Sequence, residues 1–89
     1  MNRQTTFEVS AIQRCMAVAN PLAWCDAIVA EVSGTAFDET RFGLAFLDGT
    51  SAVLRVVGPQ VDLAVGEPVA YHPVAEILSA GDRWVTARI

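Results

Sequence analysis

The chain has 89 residues, 53% apolar and 18% charged, with a net charge of −4. Such a composition excludes disorder, because apolar burial can repay the entropy of ordering. All six basic residues are arginines, so Schiff-base and P-loop chemistry are excluded, and the acidic balance argues against nucleic-acid binding.

One domain over 1–89 is expected from the length. Ser10 and Gln13 form an S-x-x-Q capping box, which predicts a helix over Ser10–Ala19. Ile12, Cys15, Met16 and Ala19 recur in it at helical spacing. Asn20-Pro21 reads as a new N-cap with proline at the first helical position. Leu22, Cys25, Val29 and Val32 then share one face, and Gly34 sits where a terminating glycine belongs, so Pro21–Ser33 reads as a second helix. The β-branched run within Ala27–Val32 supports a strand instead. Both readings stay open.

The second half reads as β. Arg41–Leu47 and Ser51–Val57 flank Asp48-Gly49, a hairpin signal. Two registers compete there. A two-residue loop sets Phe42 opposite Arg55. A turn with Gly49 in the left-handed region sets Phe42 opposite Leu54 and Leu44 opposite Ala52. The second gathers the apolar residues on one face and is preferred, although it opposes Arg41 and Arg55. Gly58-Pro59 ends that strand. Val65–His72 reads as a turn entering a strand, and the flanking Pro68 and Pro73 suggest a sheet edge. Val74–Ser79 and Arg83–Ile89 form a last hairpin around Gly81-Asp82.

The fold expected is α+β and β-dominant: an antiparallel meander of about four to five strands with N-terminal helical segments. The alternative is a small closed all-β barrel of OB or SH3-like size.

Several residues could carry chemistry. Cys25 and His72 are the one pair that resembles a nucleophile and base, with Asp26 or Glu67 as orienter. No local signature surrounds them, and Cys25 is expected to be a buried, unactivated thiol. Cys15 and Cys25 lack the paired spacing of a zinc site, so no metal and no cofactor is expected. Asp38-Glu39, the adjacent acidic pair, reads as loop. Arg41 and Arg55, on neighbouring strands and away from the core, could clamp a carboxylate or phosphate; a nearby acid such as Glu39 could equally neutralise them. Trp24 lies off the centre of its helical face and could reach a ligand or partner. Val69, Tyr71 and Trp24 are candidates for an interface.

Val65-Gly66-Glu67-Pro68-Val69-Ala70-Tyr71-His72 resembles the V-G-D-x-V-x-V-H stretch of the small-barrel hydrogenase-maturation chaperones. Trp24–Val32 is similar to their opening strand. The resemblance implies a small barrel. In that family the functional cysteine follows the initiator methionine, whereas Cys25 is internal, so no activity is carried over.

The function expected is a non-catalytic interaction module that forms a homodimer, such as a small bacterial or mobile-element protein would supply. A small-molecule domain binding an anion or apolar ligand is the alternative, and a Cys/His enzyme the third reading. A protein partner or a small ligand is possible; no nucleic acid and no membrane is expected. MNRQTTFEV has no apolar signal region, and Ala11–Ala30 is broken by Gln13, Arg14, Asn20, Pro21 and Asp26. A cytoplasmic location is therefore expected.

Overall fold

A computed structural model describes residues 6–36, 39–57 and 62–89. Strand β1 (Thr6–Glu8) leads into helix α1 (Ala11–Ala19) and a single 3-10 turn at Pro21–Ala23. Six further strands follow: β2 (Cys25–Ala36), β3 (Glu39–Phe46), β4 (Ser51–Val57), β5 (Pro68–His72), β6 (Ile77–Ala80) and β7 (Arg83–Arg88).

The sheet runs β1-β7-β4-β3-β2-β5-β6, and β6 also pairs with β7. That last pairing closes six antiparallel strands, β2 to β7, into a barrel. Among the described residues the molecule is thus β-dominant with one α-helix, and the sheet is the closed alternative rather than an open meander. Strand β1 lies outside the barrel, parallel to β7. Its Glu8 pairs with Arg83.

The barrel interior follows from period-two alternation. Ala27 and Val29, Phe42 and Leu44, Leu54 and Val56, Val69 and Tyr71, Leu78 and Ala80, and Val85 and Ala87 form one buried cluster. Each barrel strand supplies two residues, spaced two apart. No strand is long enough to bury a core alone, and closure lets small inward faces share one interior.

Helix α1 begins as the sequence indicates. The Ser10 Oγ accepts from the Gln13 N–H at 3.1 Å, and the Gln13 Oε1 accepts from the Ser10 N–H at 2.9 Å. The second helix is not formed. Only Pro21–Ala23 turns, and Cys25–Ala36 is a strand that contains Gly34. The reason is tertiary. Ala27 and Val29 face the interior while β2 pairs with β3 on one side and β5 on the other, which outweighs local helical spacing.

The β3–β4 hairpin takes the preferred register, with Phe42 opposite Leu54, Leu44 opposite Ala52 and Arg41 opposite Arg55. Gly49 has φ +94°, a region that glycine enters freely. The Asp48 carboxylate accepts from the Thr50 hydroxyl at 2.6 Å and the Thr50 N–H at 2.9 Å. Those two bonds, the hydroxyl first, lower its pKa.

Strand β5 is not an edge. It pairs with both β2 and β6, and Pro68 is its first residue, where a missing N–H breaks no ladder. The stretch from 73 to 76 is a turn, so β6 starts at Ile77 rather than Val74. Gly58-Pro59, Phe37 and Asp38 lie outside the described residues.

Candidate functional site

Helix α1 packs on the outer face of β6 and β7, not over an open sheet. Ala17, Ala75 and Ile77 form a second buried cluster, with Val9, Met16, Trp24 and Trp84 packed against it. Gln13 fixes the helix to the barrel. Its Nε2 donates to the Ala75 carbonyl at 3.0 Å and lies 3.2 Å from the Thr86 hydroxyl. The inward side of α1 is therefore Gln13, Met16 and Ala17.

This rotation overturns the helical face read from sequence. Ile12, Cys15 and Ala19 point to solvent. Small Ala17 allows close approach to Ala75 and Ile77, and the Gln13 amide finds its partners only in that orientation. The helix's apolar stripe is consequently left uncovered: Ile12 is 73% exposed, Val18 75%, and Leu22, just beyond the helix, 98%. Ala11, Cys15, Val18 and Ala19, with Arg14, line a shallow open groove of about 440 Å3. Arg14 is the one charged residue on α1, and its guanidinium carbon lies 4.0 Å over the Phe7 ring.

An aromatic column stands beside the helix. Phe7 meets Trp84 at 5.0 Å, Trp84 meets Trp24 at 5.1 Å, and Trp24 meets His72 at 5.0 Å between ring centroids. Trp24 is half-buried in this column, so its rings are occupied by packing. It follows the 3-10 turn with extended backbone and lies on no helical face.

His72 is fully buried. Its Nδ1 accepts from the Ala75 N–H at 3.0 Å, which assigns the hydrogen to Nε2, 2.9 Å from the Asn20 carbonyl. Both ring nitrogens are thus engaged with backbone. Cys25 is exposed, not buried as expected, because it opens β2 at one end of the barrel; its Sγ lies 3.5 Å from the Ala23 carbonyl. Cys25 pairs in register with Tyr71, which faces the interior, whereas the next residue, His72, packs outside against Trp24. The two residues are not brought together as nucleophile and base. Among the described residues no group of three His, Cys, Asp or Glu side chains is placed to hold a metal ion.

Val69 and Tyr71 are 7% and 2% exposed and belong to the barrel interior. Closure removes the edge on which an interface at these residues would depend. The Tyr71 hydroxyl donates to the Ala87 carbonyl at 3.0 Å, tying β5 to β7 across the interior.

Arg41 and Arg55 do stand side by side on the outer face. Glu39 Oε1 lies 3.9 Å from the Arg41 Nε and 3.8 Å from the Arg55 Nε. Arg88, which sequence reasoning missed, sits opposite Arg55 across β4–β7. Only the pairing of two strands far apart in sequence reveals it.

Among the described residues, no helix is long and apolar enough to cross a membrane. No family model, curated protein or solved structure matches this chain.

Proposed function

We propose that the protein is a non-catalytic interaction module that self-associates as a two-fold dimer through the outer face of α1 and the turn after it. The observation that carries this reading is the exposure of Ile12, Val18 and Leu22, 73%, 75% and 98%, on one short stretch of chain. A soluble helix normally turns its apolar stripe inward. Here the inward position is taken by Gln13 and Ala17, and the stripe faces solvent.

A second copy suits this face better than a charged partner does. A two-fold contact sets each patch against itself, so a patch rich in one charge would repel its own image. The stripe carries no carboxylate, and its one cation, Arg14, is drawn over Phe7. The −4 charge of the chain lies elsewhere. Burying an aliphatic side chain is worth about 1.5–3 kcal/mol. Three from each copy exceed the lower estimates of association cost, about 4 kcal/mol, which leaves room for a dimer of about micromolar affinity.

Size exclusion with light scattering at about 100 μM protein, well above micromolar affinity, tests this. A mass near 19 kDa, twice that of the 9.5 kDa chain, supports it. A 9.5 kDa species at that concentration overturns it.

A further inference from the structure

The register that closes the barrel sets like charges side by side. Arg41 is opposite Arg55 across β3–β4, and Arg55 is opposite Arg88 across β4–β7. Three of the chain's six basic residues thus form one row on the outer face. Like charges directly opposite one another destabilise a sheet. Among the described residues, two pairs, Arg55 with Arg88 and Val56 with Ala87, join β4 to β7, fewer than join any other two neighbouring strands of the barrel. A locally unfavourable choice at a structural weak point is where a ligand's contribution is expected.

The carboxylates nearby do not use these guanidiniums fully. Glu39 Oε1 approaches the Nε atoms of Arg41 and Arg55 at 3.9 and 3.8 Å, beyond hydrogen-bond length. The same oxygen is buried and has no hydrogen-bond partner among the described residues. Glu76 Oε2 lies 3.5 Å from the Arg88 Nε. The three arginine side chains are 57%, 51% and 64% exposed. None donates a hydrogen bond to any described residue. Among the described residues, these two carboxylates are the ones within ion-pair distance of the three guanidiniums.

We propose that the row of Arg41, Arg55 and Arg88 binds a small polyvalent phosphate across the β4–β7 seam. The planar guanidinium fork matches phosphate oxygens two at a time. A bound dianion screens the arginines from one another and adds links between strands that share few of their own. Nucleic acid is a poor fit, because three cations on a chain of net charge −4 offer few phosphate contacts. The site shares no residue with the α1 stripe and does not depend on dimer formation.

Thermal unfolding of the full chain with inorganic pyrophosphate, against sodium chloride of equal ionic strength, tests the proposal. Sodium sulfate at that ionic strength is the control for general salt effects. Pyrophosphate is expected to raise the melting temperature by about 5 °C more than chloride or sulfate when well above its dissociation constant. Arg55→Gln, at the centre of the row, is expected to fold and to lose that extra shift. Arg14→Gln, on α1, is expected to keep it. An equal response to pyrophosphate and sulfate, no response to either, or a shift that survives Arg55→Gln would each overturn the proposal.

Discussion

The rings of Trp24 and His72 stand nearly perpendicular, at 86°, with centroids 5.0 Å apart. Trp24 thereby closes one side of a histidine whose two nitrogens already hold Asn20, at the end of α1, and Ala75, in the turn before β6. His72 is a structural link between the helix and the barrel. His72→Ala would leave a part-buried carbonyl and a buried N–H unpaired and open a cavity. A loss of about 3 kcal/mol is expected in chemical denaturation, which for this chain length lowers the melting temperature by more than about 10 °C. A loss under about 1 kcal/mol, comparable to one ordinary hydrogen bond, would contradict that role.

Tyr71 offers a pH-dependent reading of the barrel interior. Its pKa is raised above 10.0, first by burial and then by the negative charge of Glu76. The folded state therefore holds the phenolic proton more tightly than the unfolded state. This contribution to stability is complete below pH 10 and is lost as pH rises through the folded value. It is the chain's one tyrosine, so ultraviolet difference absorbance reports it without overlap. Tyr71→Phe is expected to cost about 1 kcal/mol at neutral pH through the lost bond to Ala87. It is also expected to make the decline above pH 10 shallower. An unchanged alkaline decline would show that Tyr71 is not its source.

Gln13 caps the helix and anchors it. Ser10→Ala removes the cap alone and is expected to cost about 1 kcal/mol. Gln13→Ala also strips the contacts to Ala75 and Thr86, so its loss should exceed that of Ser10→Ala by about 1 kcal/mol or more. Urea denaturation of the two variants decides it. Equal losses would mean that the anchoring bonds contribute nothing net.

The two cysteines are both exposed, but only Cys15 lies on the proposed interface. Alkylation of Cys15 is expected to slow several-fold between about 1 μM and 100 μM protein, a span that crosses micromolar affinity. Cys25 should react at one rate throughout. Equal behaviour of the two thiols, resolved by mass spectrometry of peptides, would place the contact elsewhere.

Much of the local structure is legible in the chain. The capping box at Ser10 and Gln13 starts α1 as read, and the buried face of Phe42, Leu44, Leu54 and Val56 fixes the hairpin register. Most of what local reading leaves open or misplaces turns on closure. Pro21–Ser33 reads locally as either helix or strand, and pairing on two sides makes Cys25–Ala36 a strand. Val69 and Tyr71 look like an edge between prolines, yet β2 and β6 cover both sides. The three-residue β1 is too short to signal itself before β7 is in place. The same holds for the site. Arg41 and Arg55 could be paired from the hairpin alone, whereas Arg88 joins them only when β7 returns to β4. The orientation of α1 was hidden because apolar Ile12, Cys15 and Ala19 outweigh a single inward glutamine in any periodicity argument.

Sedimentation equilibrium of the wild-type chain beside Val18→Asp bears most directly on self-association through α1. Val18 is 75% exposed, so the carboxylate should leave the monomer's fold intact while setting two like charges in the contact. At about 100 μM the wild type is expected as a dimer and Val18→Asp as a monomer, at least tenfold weaker in association, which corresponds to about 1.4 kcal/mol. A monomeric wild type, or a dimer that Val18→Asp leaves unchanged, would contradict the account.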